Sequence, residues 1–188
     1  MKNGSIMNKR ERIETVFLYG VFVCYILFLF KLLVLSRVPL QDTIDSQKTL
    51  SNSINLIPFH SIKEYLFSNS ATIKRFAFSN VIGNIIIFIP LGAYLSLFNK
   101  NKRAIINLLF IVFVSLFIEV IQGLTGIGAA DIDDIILNSL GGFVGILGYK
   151  LLLFLFRDEK VVRITITILS VIGLPVLLYL LLMVRLRL

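Results

Sequence analysis

Carboxylate and amide side chains stand in parts of this sequence where nearly all the neighbouring residues are apolar. Glu119 is the only charged residue of a long apolar block, Asp134 and Asn138 open the next block, and Asn84 lies near the start of an earlier one. A partly desolvated carboxyl group suits a general acid or base near neutral pH. Amide groups can donate hydrogen bonds to phosphate or carbonyl oxygens. The residue types therefore suit chemistry on the polar end of an amphiphile.

The rest of the chain provides an apolar scaffold for these residues. Of 188 residues, 57% are hydrophobic and 16% are charged, and the mean hydropathy is +0.90. Five apolar stretches reach the roughly 20 residues that cross a hydrocarbon core, and in lipid such stretches must form helices to satisfy their backbone hydrogen bonds. The sequence predicts an all-α integral membrane protein, a five-helix transmembrane bundle with helices over 16–35, 80–98, 104–124, 134–156 and 164–184.

Composition excludes several other classes of protein. A soluble domain is normally about one quarter charged, and the single cysteine, Cys24, allows no intrachain disulfide. The net charge of +8 comes from bases at the ends of apolar blocks, where they set membrane orientation, so nucleic acid is not an expected partner. One histidine, His60, and one distant cysteine cannot build a usual zinc site.

Lysine and arginine between the predicted helices indicate the orientation. The tail 1–15 has four, the second and fourth connections have three each, and the connection 125–133 has none. This pattern places the N-terminus in the cytoplasm and the C-terminus outside, although the long first connection and the two C-terminal arginines count against it. We divide the chain into the tail 1–15, a membrane domain 16–156 and a C-terminal helix 164–184. The first outer loop, 36–79, is predicted to be partly amphipathic or re-entrant, with an ordinary surface loop as the alternative.

Antiparallel helices would bring the polar residues of three spans to the same end of the bundle. Residues three, four or seven positions apart share a helical face, and three such sets occur: Asn80 with Asn84; Ser115, Glu119 and Gln122; Asp131, Asp134 and Asn138. Gly141, Gly142 and Gly145 continue the last face and would let a neighbouring helix approach closely. The sequence therefore predicts a polar recess in the outer leaflet, with Arg37 as a cation above it.

Four of these segments, in this order and spacing, carry a resemblance to a known family. They are Asn55-Leu56-Ile57-Pro58-Phe59; Asn80-Val81-Ile82-Gly83-Asn84 continuing to Phe88-Ile89-Pro90-Leu91-Gly92; Ile118-Glu119-Val120-Ile121-Gln122; and Asp131-Ile132-Asp133-Asp134-Ile135-Ile136-Leu137-Asn138-Ser139-Leu140-Gly141-Gly142. Over residues 37–152 the chain resembles the VanZ-like family of small bacterial membrane proteins, named for a member associated with teicoplanin resistance. Some relatives place an arginine shortly before the acidic cluster, and 126–130 contains none, which favours Arg37 as the cation.

The resemblance implies a cell-envelope role in susceptibility to glycopeptide or lipoglycopeptide antibiotics, and a relation to membrane proteins proposed to process lipid head groups. In an enzyme acting on a membrane lipid or a lipid-linked precursor, Glu119 and Asp134 would be the catalytic carboxylates. Substrate would be held by the remaining candidates: Arg37, Asn84 and Asn138 directly, Gln122 and Asn80 in support, and Asp131 at the mouth.

Three alternatives stay open at this point. The polar residues would otherwise be interhelical hydrogen bonds of a bundle, and Asp131 and Asp133 alone are typical of a solvated helix N-cap. The recess would otherwise be a non-catalytic site that binds an antibiotic or a lipid-linked precursor. Carboxylates of this kind would also suit Mg²⁺ or Ca²⁺ as a cofactor beside a phosphate.

Overall fold

The described part of the chain is helical, apart from one pair of two-residue strands. The computed structural model describes residues 9–34, 54–55, 57–67, 69–99, 103–125 and 130–183. Within them, five helices are long and apolar enough to cross a membrane, which confirms the predicted fold class. The elements in chain order are α1 (Lys9–Leu33), β1 (Ile54–Asn55), α2 (His60–Phe67), α3 (Ala71–Phe98), α4 (Ala104–Thr125), β2 (Ala130–Asp131), α5 (Ile132–Phe156) and α6 (Glu159–Met183).

Several helices begin earlier than their apolar blocks predict. Helix α3 begins at Ala71, nine residues before the predicted start, because no glycine or proline interrupts the polar stretch ahead of the apolar one. Its 28 residues extend about 42 Å, more than the roughly 30 Å of a hydrocarbon core. The end of the predicted first loop is therefore helical. Helix α2 occupies another part of that loop and packs against α3, while residues 35–53 lie outside the described residues.

Helices α3 and α5 form the most extensive helix pair of the bundle. A Cβ atom on Gly141 would overlap the carbonyl oxygen of Ile85, and one on Gly145 would overlap the carbonyl oxygen of Ile89. Gly92 of α3 is closed off in the same way by the backbone of α5. The prediction that small residues on α5 allow a close neighbour is confirmed, and α3 is that neighbour.

Helix α1 forms hydrogen bonds with α3, α4 and α6. Tyr25 donates a hydrogen bond to the carbonyl oxygen of Ile87 in the middle of α3, at 2.5 Å. At one end of α1, the Leu33 carbonyl accepts from Gln122 of α4 at 2.6 Å. At the other end, Thr15 accepts from Arg163 of α6 at 2.5 Å. Because α1 bonds to α4 at one end and to α6 at the other, it fixes the position of both.

Two clusters of buried apolar side chains pack around α1. The first joins α1, α3, α4 and α5 through Tyr25, Leu29, Leu33, Phe88, Leu91, Ile111, Ile118 and Ile146. The second joins α1, α3, α5 and α6 through Leu18, Val21, Tyr94, Tyr149, Val162 and Ile166. The first cluster lies next to the polar residues of α4 and α5, so those residues are held on a closely packed scaffold.

Candidate functional site

Polar side chains of α3, α4 and α5 gather at the end of the bundle where α5 begins. Seven of them are buried: Asn84, Ser115, Glu119, Gln122, Asp133, Asp134 and Asn138. Together with the half-buried Asn55, Asn80 and Asp131 we call them the polar cluster. The polar face of α5 therefore points into the bundle, as the sequence predicted. Four carboxyl groups and several amides share this one region.

Asp134 is held by the two asparagines of α3. Its Oδ1 atom accepts a hydrogen bond from Asn84 Nδ2 at 2.5 Å and one from Asn80 Nδ2 at 3.3 Å. The two asparagines also bond to each other, at 3.5 Å. Because Asp134 lies in the first turn of α5, the helix dipole further favours its negative charge. The structure thus brings together three of the predicted site residues.

Glu119 reaches across from α4 to the residue that precedes α5. Its Oε2 atom accepts the backbone N–H of Asp131 at 2.8 Å. The side chain is 3% exposed, and a carboxylate at such a site is costly unless hydrogen bonds compensate its lost hydration. Glu119 therefore fixes the start of α5 while keeping a carboxyl group deep in the polar cluster.

Asp131 is the N-cap residue of α5. Its side chain accepts the N–H of Asp133 at 2.9 Å, and its second carboxylate oxygen accepts Asn55 Nδ2 at 3.3 Å. Strands β1 and β2 pair in parallel here, with Asn55 opposite Asp131. The N-cap prediction for Asp131 is confirmed. The sequence did not predict the contact of Asn55 with Asp131, although Asn55 is an amide in an apolar run.

The prediction of a solvated carboxyl group at Asp133 is wrong. Its side chain is 1% exposed, and its Oδ1 atom accepts the backbone N–H of Phe59 at 2.5 Å. Phe59 has a left-handed backbone with φ of 64°, which is rare for a bulky residue. The turn before α2 thus places a main-chain donor over α5. Every residue except proline has a backbone N–H, so the sequence does not predict this contact.

Two buried amide groups use only their nitrogen. Asn138 Nδ2 donates to Ser115 Oγ at 2.9 Å, and Gln122 Nε2 donates to the Leu33 carbonyl. Among the described residues, the Oδ1 atom of Asn138 and the Oε1 atom of Gln122 have no hydrogen-bond partner. A buried acceptor in that state costs about 1–3 kcal/mol. Both oxygens are therefore suited to accept from a donor outside the described residues.

The other predicted features of the site have different outcomes. Arg37, the expected cation, lies outside the described residues. Within the described ranges, no group of three or more His, Cys, Asp and Glu residues could hold a metal ion. The carboxylates considered for Mg²⁺ or Ca²⁺, which are Glu119, Asp131 and Asp134, accept hydrogen bonds from backbone and amide donors.

Five potential spans and a buried cluster of carboxyl and amide groups define a multi-pass helical membrane protein with a polar site at one end of its bundle. The chain belongs to the VanZ/LLP1 family, which it matches over residues 22–155. It is 42% identical over 74 residues to Protein VanZ of Enterococcus faecium, an alignment that covers 39% of this chain and 46% of that protein. The chain thus spans about half the length of the curated relative that it matches. No solved structure matches the chain.

Proposed function

We propose that this protein acts at the outer leaflet on the head group of a membrane lipid or of a lipid-linked envelope precursor, and so lowers susceptibility to teicoplanin-type antibiotics. The observation that carries the proposal is the burial of Glu119, Asp133 and Asp134 together at one end of the bundle. Ionisable residues inside membrane spans are costly and mark functional sites by default. Family membership supports the link to the cell envelope.

The depth of the polar cluster fits a head group. Glu119 lies six residues before the end of α4, and Asn138 lies six residues after the start of α5. At 1.5 Å per residue, both lie about 9 Å from the helix ends. This depth is near the boundary between the hydrocarbon core and the head groups of a bilayer. A substrate whose polar end sits at that level would reach the polar cluster from within the membrane.

The hydrogen bonds suggest a role for each residue. Asp134, held by Asn80 and Asn84, is the better-oriented carboxyl group and would serve as nucleophile or base. Glu119 would transfer a proton as general acid or base. The amide oxygens of Asn138 and Gln122, which have no partner within the described part of the chain, would accept hydrogen bonds from hydroxyl or ammonium groups of the substrate. A head group that carries hydroxyl or ammonium donors fits this set.

A buried structural network alone explains the carboxyl groups poorly. Glu119 accepts a backbone N–H, and a neutral glutamine could accept the same bond without the cost of burying a charge. Three buried carboxyl groups in one region also repel one another whenever they are ionised. A network that only held helices together would gain from amides at these positions, so the acidic residues favour chemistry over scaffolding.

The proposed orientation places the N-terminus in the cytoplasm and the polar cluster on the outer side. The end of the bundle opposite the polar cluster carries the bases Arg103, Arg157, Lys160 and Arg163, as the positive-inside rule requires of a cytoplasmic end. Alkaline phosphatase fused after Leu188 is expected to be active, and green fluorescent protein fused there is expected to be dark. The reverse pair of results would place the polar cluster in the inner leaflet and contradict the proposal.

The test of function uses antibiotic susceptibility and lipid composition in the same cells. A teicoplanin-susceptible bacterium expressing the chain should need at least fourfold more teicoplanin for inhibition, and its lipid extract should gain or lose a head-group species. Glu119→Gln and Asp134→Asn preserve size and hydrogen bonding, and each should abolish both effects. Glu11→Gln removes a carboxyl group at the opposite end of the bundle and should abolish neither.

The outcomes separate the two candidate functions. If protection survives both substitutions undiminished, acid–base chemistry in the polar cluster is ruled out. If protection depends on Glu119 and Asp134 while the lipid extract stays unchanged, the polar cluster binds the antibiotic or a precursor without converting it. Because Glu119 and Asp133 are tied to backbone donors, the arrangement is rigid enough for either role.

A further inference from the structure

A separate apolar cavity lies between α1, α3, α5 and α6, away from the polar cluster. Its volume is about 570 Å³, within the range of pockets that hold small ligands. Along α6 it extends from Ile166 to Leu177, or about 16 Å of helix rise. That length is about half the roughly 30 Å hydrocarbon core. A cavity of this length matches the depth of one leaflet.

The lining of the cavity offers hydrocarbon surface to a ligand. The hydroxyl groups of Tyr94 and Ser170 bond to each other at 2.6 Å, and Ser170 also donates to the Ile166 carbonyl. Tyr25 donates to the backbone of α3. These three hydroxyl groups have partners within the protein, and the remaining lining residues apart from Tyr149 are apolar. A polar ligand would therefore gain little here, whereas an alkyl chain would contact mainly hydrocarbon.

Two glycines leave the space in which an alkyl chain would lie. A Cβ atom on Gly148 of α5 or Gly173 of α6 would meet no atom within 4 Å, although both residues line the cavity. The lining residues Val144, Leu151 and Leu169 are exposed on the surface of α5 and α6. The cavity therefore opens sideways, towards the position of lipid tails.

The face of α6 that lines the cavity also carries a basic residue, Arg163. Arg163 lies three residues before Ile166 and seven before Ser170, on the same helical face. Its guanidinium donates to Thr15, and its Nε atom is buried with no partner among the described residues. Guanidinium groups bind phosphate through several donors, and basic sites between membrane helices bind anionic head groups.

The charges around Arg163 are mixed. Arg12, Arg157 and Lys160 lie at the same end of α1, α5 and α6. Of the acidic residues there, Glu11 pairs with Lys160 at 3.7 Å, and Asp158 accepts the backbone N–H of Lys160. Glu14 and Glu159 also lie at this end. The buried Nε donor of Arg163, about one helical turn before the lining residue Ile166, is the feature that favours an anion.

We propose that the cavity binds one anionic phospholipid of the bilayer, with an acyl chain between α5 and α6 and its phosphate at Arg163. This site is distinct from the polar cluster, which lies at the other end of α5. The proposal does not depend on the proposed function, and its test uses no antibiotic readout.

The test is a lipid titration of the purified, delipidated full chain followed by native mass spectrometry. The probes are dioleoylphosphatidylglycerol and dioleoylphosphatidylcholine. We expect one phosphatidylglycerol molecule to bind at least tenfold more tightly than phosphatidylcholine. Gly173→Leu and Gly148→Leu fill the cavity and should each weaken phosphatidylglycerol binding at least tenfold. Gly20→Leu should change it less than twofold, since Gly20 also has open space but does not line the cavity.

A second pair of variants tests the charge. Arg163→Gln should reduce phosphatidylglycerol binding to the level of phosphatidylcholine, and Arg163→Lys should restore part of the preference. Arg103→Gln removes an exposed base at the same end and should leave the preference unchanged. Equal binding of the two lipids to the wild-type chain would overturn the assignment of an anionic ligand.

A measurement on the wild-type chain covers the case in which a leucine variant fails to fold. Phosphatidylglycerol carrying a photoreactive diazirine in its acyl chain should crosslink to peptides spanning 144–152 and 166–177. Crosslinks confined to other peptides, or unaltered binding to a folded Gly173→Leu variant, would refute the cavity as the site.

Discussion

The close approach of α3 and α5 predicts that alanine at position 141 destabilises the protein, because the atom that its Cβ would meet belongs to the backbone. Replacing Gly141 by alanine places a Cβ atom in overlap with the Ile85 carbonyl oxygen. That obstacle is main chain, so neither helix can yield by changing a rotamer, and the two must move apart. Overpacking of this kind costs about 1–3 kcal/mol. The upper part of that range applies here because a separation of 0.5–1 Å also forfeits a quarter to a half of each dispersion contact.

The gain from alanine only partly offsets this cost. Alanine is favoured over glycine inside a helix by about 1 kcal/mol, so Gly141→Ala should lose about 2 kcal/mol of unfolding free energy. At about 2–4 °C per kcal/mol for a chain of this size, its Tm should fall by about 4–8 °C. Gly148→Ala is the matched control, since its Cβ atom meets nothing within 4 Å, and its Tm should rise by about 2–4 °C.

The assay is thermal unfolding of both variants in the same detergent, followed by far-UV circular dichroism. The Tm of the wild-type chain should lie between those of the two alanine variants. A Gly141→Ala variant that melts at or above the wild-type temperature would refute the close contact between α3 and α5. Because Ile85 is the neighbour of Asn84, a shift of α3 should also weaken the bond from Asn84 to Asp134 and lower any protection that depends on the polar cluster.

Three further substitutions test local features by the same melting assay. Asp131→Ala removes the N-cap of α5 and should cost about 1 kcal/mol, whereas Asp131→Asn should keep most of the stability. Arg157→Gly relieves a left-handed residue with φ of 54° and should add about 1 kcal/mol; a lower Tm would contradict this. Asn107→Leu removes bonds to Ser96 and Asn99 and should cost about 1 kcal/mol, and an unchanged Tm would show that these bonds do not stabilise the bundle.

The parts of the fold that the bilayer dictates could be predicted from the sequence. A hydrocarbon core sets the length of a span, so five apolar blocks gave five helices. The spacing of Asp134, Asn138 and Gly141 predicted the buried face of α5, because lipid excludes such residues from the outer surface. The early start of α3 at Ala71 was missed, since a polar helix outside the bilayer has no apolar boundary to mark it.

The contacts made by loops could not be predicted in this way. The partner of Glu119 is the backbone N–H of Asp131, and that of Asp133 is the backbone N–H of Phe59. Every residue except proline has such a donor, so the sequence does not distinguish these two. The pairing of β1 with β2 involves only two residues on each strand, too few for a recognisable alternation. The functional roles of the polar cluster remain predictions for the substitutions above.

The bonds of α1 also constrain how the bundle is made. The hydrogen bond between Thr15 and Arg163 joins positions 148 residues apart, so α1 can complete its contacts only after α6 has been made. Membrane helices insert individually before they associate, so α1 can bond to α3 and α4 first and to α6 only later. A nascent chain released after Phe156 would keep the bond from Gln122 to Leu33 but lose every contact with α6. Such truncated products should be substrates for membrane quality-control proteases.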